Sequence, residues 1–97
     1  MKYRINPNDL QHHAFTNPYL EAMGSAQIGW GKPDAGKNLR LDVRLPDGTV
    51  IRGDETPAAA RFVPLNPPMG PGTYTAVVTN IGTEAVQYTL LTGFQEV

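Results

Sequence analysis

The 97-residue chain has no cysteine. That removes disulfide staples, thiolate nucleophiles and the cysteine-based zinc sites with which small domains supplement a modest core. It has one serine, Ser25, in the run MGSAQ. A serine nucleophile needs a strained, exposed elbow and a base within hydrogen-bond reach, and this context supplies neither, so Ser25 reads as a turn or strand-start residue. An excess of charge is missing as well. Nine acidic residues face eight basic ones, for a net charge of −1. No nucleic-acid partner is expected from that balance. No apolar run approaches the roughly 20 residues of a membrane-spanning helix, so no membrane insertion is expected. The opening MKYRINPNDLQHH lacks the apolar core of a signal peptide. The compartment stays open: extracellular for a piece of an exported protein, otherwise cytoplasmic or virion-associated.

What is abundant is punctuation. Ten glycines and nine prolines are too many for a helical bundle and suit short strands joined by turns. The length allows one domain with a single core, taken as residues 1–97, with 1–18 as an edge strand or a loose N-terminal segment.

LRLDVRLPDGTVIRGD, residues 39–54, reads as a hairpin. Pro46 suits the second position of a type I turn, and Gly48 the left-handed position after it. The resulting three-residue loop with a bulge pairs Leu45 with Thr49, Val43 with Ile51 and Asp42 with Arg52. A two-residue Asp-Gly loop would bring Arg52 onto the apolar face, and a buried face specifies register strongly. Leu39, Leu41, Val43, Leu45 and Ile51 then point inward. Arg40, Asp42, Arg44 and Arg52 form the outward row, a solvated strand face rather than a binding surface.

GTYTAVVTN (72–80) alternates Tyr74, Ala76 and Val78 against Thr73, Thr75, Val77 and Thr79. EAVQYTLLTG (84–93) alternates Val86, Tyr88 and Leu90 against Gln87, Thr89 and Leu91. Period-two alternation with Thr and Tyr is the strand signature, and the short link Ile81-Gly82-Thr83 predicts a second hairpin. AAARFVPL (58–65) predicts a strand ended by Pro64. NPPMGPG (66–72), with three prolines lacking amide donors, predicts a surface crossing between sheets. SAQIGW (25–30) predicts a strand with Ala26, Ile28 and Trp30 on one side. In PYLEAMG (18–24), Pro18 at a first turn and Gly24 as a cap suit one helical turn. Six to eight short strands with turns between them predict an all-β fold, an antiparallel, jelly-roll-like β-sandwich.

The runs NLRLDVRLPDG (38–48) and GPGTYTAVVTNIGTEAVQYTLLTG (70–93) resemble the bacterial pre-peptidase C-terminal domain. The shared pattern is an alternating strand ending in a Pro-Asp-Gly-like turn, a Gly-Thr-Tyr strand start and a final Tyr-Thr-Leu strand. Trp30 stands where that family often has an aromatic, and the likeness covers residues 26–94. It implies a jelly-roll-like sandwich of the kind appended to secreted bacterial enzymes. The implied role is non-catalytic: adhesion to substrate, matrix or glycan, or support of folding and secretion. Arg40 and Arg44 stand where the family's strand is often acidic, which weighs against carrying over calcium binding. A chain that opens at Met1 without a leader also departs from the usual C-terminal setting.

Other chemistry finds little footing. His12 and His13 are adjacent, so on a strand they face opposite sides and cannot grip one metal together. They read as exposed polar residues near an edge. Asp34, Asn38, Asp47, Asp54 and Glu55 offer oxygens, but their spacing fits no calcium loop, so no cofactor is expected, with calcium as the alternative. The expected function is a binding or accessory module without enzymatic activity, directed at a protein or carbohydrate surface ligand. The alternative is a stand-alone bacterial or phage structural protein that assembles as a homo-oligomer through its strand edges. The candidate contact residues lie in the glycine-rich loop GWGKPDAGK (29–37): Trp30, Lys32, Asp34 and Lys37, presented at one end of a rigid scaffold. Trp30 itself, in phase with Ala26 and Ile28, has a competing place in the core.

Overall fold

A computed structural model of the chain describes residues 2–31, 38–53 and 60–97, and every regular element within them is a strand. In chain order these are β1 (Lys2–Ile5), β2 (Leu10–Asn17), β3 (Ala22–Gly29), β4 (Leu39–Arg44), β5 (Val50–Arg52), β6 (Ala60–Met69), β7 (Gly72–Asn80) and β8 (Val86–Glu96). They form two four-stranded antiparallel sheets. Sheet I has the order β1-β8-β3-β6 and sheet II the order β2-β7-β4-β5. The pairings nest: β1 with β8, β2 with β7, β3 with β6, β4 with β5. The chain is thus one long hairpin, with its bend at the β4–β5 turn, rolled into two packed layers. That is the jelly roll expected from the strand pattern.

The β4–β5 hairpin has the predicted register. Asp42 pairs with Arg52 and Val43 with Ile51. The Leu45 amide donates to the Thr49 carbonyl at 2.8 Å, and the Gly48 amide to the Leu45 carbonyl at 2.9 Å. Gly48 sits at φ 92°, where a side chain would be strained. The Asp47 carboxylate accepts from the Thr49 amide at 2.9 Å.

Between the layers lies one apolar core, with Ile5, Ile28, Leu39, Leu41, Val43, Val63, Leu65 and Val78 essentially inaccessible to water. Aromatic groups close it at both ends. Tyr3, His13 and Tyr88 meet at one, with Tyr3 and Tyr88 stacked at 5.5 Å. Phe15, Tyr74 and Phe94 meet at the other.

Three expectations are corrected. First, β7 and β8 are no hairpin: β7 lies between β2 and β4 in sheet II, β8 between β1 and β3 in sheet I. The buried Asn80 turns the chain from one layer to the other. Its amide nitrogen donates to the carbonyls of Ile5 (3.3 Å) and Glu84 (2.8 Å), and its oxygen accepts from the Gly82 amide (2.9 Å). Second, β6 does not stop at Pro64 but runs to Met69, with the crossing to sheet II confined to Gly70 and Pro71. Prolines are tolerated because β6 is an edge strand, where missing donors break no second ladder. Third, no helical turn forms over 18–24: residues 19–21 are a bend, and 22–24 already belong to β3, so Gly24 is a strand residue and not a cap. Asn17, buried, accepts from the Tyr19 amide and donates to the carbonyls of Met69 and Gly70. It holds two crossings at once, and that competes with any helix start there.

The strand β2 had no prediction of its own. It places His12 outward and His13 half-buried, facing inward, so His13 is not the exposed residue expected. Val77 keeps the outward side that its alternation predicts, yet it is covered there. It lies in register between His12 and Asp42 and is only 8% exposed.

Candidate functional site

The outer faces of the two sheets differ in chemistry. That of sheet II carries Arg40, Asp42, Arg44 and Arg52, which the register of β4 and β5 sets out in a row. A small cleft of about 140 Å³ lies there beside Gly53. On sheet I the outward positions of β3 are Met23, Ser25, Gln27 and Gly29. Those of β8 are Gln87, Thr89, Leu91, Gly93 and Gln95, and β6 adds Phe62, Pro64 and Asn66. None of these carries a charge; Lys2 and Arg4 appear only on β1, at the far edge.

The register arranges these side chains in rows across the sheet. Gln27 lies between Leu91 and Phe62, and Ser25 between Gly93 and Pro64. Gly93 and Ser25 are small, so the middle row is low, while Phe62, Leu91 and Met23 stand up around it with 41%, 62% and 48% of their surface exposed. The result is an open concavity of about 670 Å³. A Cβ added at Gly93 would meet nothing within 4 Å, which marks the floor as open space. Gly24, one residue from Ser25 and facing inward, is the opposite case. A Cβ there would lie 2.5 Å from the Gly93 carbonyl oxygen and 2.6 Å from the Phe94 ring. Glycine at 24 lets β3 and β8 approach under Phe94 and so supports the concavity from beneath.

Gln27, Gln95 and Asn66 each donate and accept through one primary amide, and Ser25 through a hydroxyl. With Phe62, Leu91 and Met23 supplying apolar patches, the face suits a neutral ligand bearing both hydroxyls and C–H surface. No carboxylate, imidazole or amine stands among the residues that line the concavity.

Of the residues singled out in the sequence, Trp30 belongs to the core, 8% exposed. The Arg61 guanidinium lies 5.0 Å from its ring centroid, with the Arg61 Nε donating to the Leu39 carbonyl at 3.1 Å. One edge of Trp30 lines a cleft of about 230 Å³ with Lys2, Gln87 and Thr89. Lys32, Asp34 and Lys37 lie outside the described residues, as do Asp54 and Glu55. Among the described residues, no three His, Asp or Glu side chains gather around a common metal position, and no helix is long and apolar enough to cross a membrane.

A second polar group lies at the rim between β1 and β2. The Tyr88 hydroxyl donates to Gln11 Oε1 at 2.5 Å, and Gln11 Nε2 donates to the Arg4 carbonyl at 2.8 Å. His13 Nε2 is 2.7 Å from the same hydroxyl. Since the single Tyr88 proton goes to Gln11, His13 is the donor in that contact, which fixes its Nε2–H tautomer. Burial lowers the His13 pKa, and the neighbouring His12 lowers it further. Burial also pushes Tyr88 up to about 12, with Tyr3 and Asp9 adding to the rise. These groups bridge the two sheets and point into the core, which makes them a structural tie.

The concavity on sheet I was missed in the sequence. Its signal was the outward half of each alternation, where β3 and β8 place Gln, Thr, Ser and Gly but no charge. No protein-family model matches the chain, and no curated protein is similar to it.

Proposed function

We propose that this protein is a non-catalytic binding or accessory module and that the outer face of sheet I is its docking surface for a neutral, hydroxyl-rich ligand such as a surface glycan. The observation that carries the reading is the uncharged, amide-lined concavity between β3, β6 and β8. Amides and hydroxyls satisfy a ligand that both donates and accepts, and the apolar patches exclude water from its C–H faces. The role agrees with the one implied by the resemblance to the pre-peptidase C-terminal domain. It moves the contact surface from the 29–37 loop to the sheet.

The test is an amide-shift titration of the labelled protein with soluble neutral polysaccharides, namely xylan, mixed-linkage glucan and starch. Shifts should centre on Ser25, Gln27, Phe62 and Leu91. Gly93→Val fills the floor and Phe62→Ala removes a wall; each should weaken binding about tenfold or more, roughly 1.4 kcal/mol, while the protein stays folded, with the melting temperature of Gly93→Val no lower than that of the wild type. A combined Lys32→Ala, Asp34→Ala, Lys37→Ala variant should bind normally. Loss of binding in that triple variant alone would return the site to the loop, and absence of shifts with all three polysaccharides would refute the glycan reading.

A further inference from the structure

The two sheets have four edges, β1, β6, β2 and β5. An open edge presents unpaired amides and carbonyls that template association, and proteins blunt such edges with short strands, charges, prolines, bulges or inward-pointing ions. Three of the four carry these devices. β1 has four residues, two of them Lys2 and Arg4. β5 has three and includes Arg52. β6 is long but contains Pro64, Pro67 and Pro68, turns the Arg61 side chain inward, and shifts register against β3 near Gly24.

β2 carries none of them. Its eight residues, LQHHAFTN, include no Asp, Glu, Lys, Arg or Pro, and the ladder to β7 is unbroken from Leu10–Thr79 to Asn17–Gly72. Among the described residues its other side has no neighbouring strand. From this contrast we infer that β2 is the contact edge for a second copy of this chain, the two β2 strands pairing antiparallel about a two-fold axis into a continuous eight-stranded sheet.

The occupant follows from self-complementarity. A two-fold between antiparallel strands pairs residues of one face with residues of the same face. Centred on Ala14, it sets Ala14 opposite its own counterpart, His12 opposite Thr16, and Gln11 opposite Asn17. No like charges meet, and the smallest side chain lies at the axis. Charged edges such as β1 could not pair with themselves in this way without repulsion. Eight residues of pairing is a small interface, so the dimer is weak and concentration-dependent. The inference is independent of the ligand face, which lies on the other sheet.

Sedimentation equilibrium from low micromolar to millimolar protein tests it. The wild-type mass should rise from 10.6 kDa toward twice that value. Ala14 is exposed, so Ala14→Lys should keep the dilute melting temperature while remaining monomeric throughout, as should Ala14→Glu. An equimolar mixture of the two should dimerise again, because position 14 faces itself across the axis. Amide exchange along β2 should slow in concentrated wild type and not in Ala14→Lys. A wild type that stays monomeric at millimolar concentration overturns the inference. So does a dimer that Ala14→Lys leaves intact, or a lysine–glutamate mixture that stays monomeric.

Discussion

Two buried asparagines, one at each end of the sandwich, fix how the chain passes between layers. Asn80 satisfies two carbonyls and one amide, and Asn17 does the same at the opposite end. Asn80→Ala should therefore cost about 1–3 kcal/mol, the penalty for leaving buried backbone groups without partners. Asn66→Ala, on the exposed face, should stay within about 0.5 kcal/mol. Urea titration of both variants checks this. The His13–Tyr88 pair predicts a pH profile. Because the folded His13 pKa lies below its unfolded value of 6.5, its contribution to stability is present above that pH and is lost as pH falls. Tyr88 is the reverse case: its stabilisation is complete below pH 10.0 and lost as pH rises through about 12. Thermal melts across pH should show both slopes. His13→Gln should flatten the acid one and Tyr88→Phe the alkaline one.

At the level of elements, alternation and turn chemistry were legible in the sequence to a fine grain. The Pro46-Asp47-Gly48 turn defined the β4–β5 register because only one loop length keeps Arg52 off the core. Val43→Asp places a charge among fully buried residues and should unfold the domain. Asp42→Ala removes at most an opposite-charge cross-strand contact, about 0.2–1 kcal/mol. Denaturant midpoints distinguish the two. Neighbouring glycines with opposite environments give a sharper comparison. Gly24→Ala forces a Cβ against the Gly93 carbonyl and should cost about 1–3 kcal/mol. Gly93→Ala meets nothing and should stabilise by about 0.5–1 kcal/mol, the usual gain over glycine within a strand. What the pattern did not disclose was β2, where His-His and Gln interrupt the apolar alternation and hide a strand whose inner face is partly polar. The prolines of β6 were misleading for a related reason: a proline forbids a donor, and whether that donor is needed depends on the strand's place in the sheet.

For the whole molecule, the nested pairing makes contacts mostly non-local. β1 waits for β8, and β2 for β7, so loop closure over most of the chain must come before the first and last strands gain anything. Folding should be slow for a chain of this size, in the millisecond-to-second range typical of all-β domains. Stopped-flow refolding measures it, and microsecond relaxation would contradict the topology. The sequence by itself determined the class of fold, the inward residues of β4 and most of those of β7, β8 and the second half of β3, and the one hairpin with a self-sufficient turn. These depend on local sterics and on which side of a strand meets water, both written in neighbouring residues. Tertiary structure alone decided which strands pair beyond β4 and β5, that β7 and β8 part into different sheets, and that an uncharged concavity forms where β3, β6 and β8 lie side by side. Period-two alternation records the buried side of a strand but not its neighbour, and a surface shared by three strands exists only after the sheet has closed.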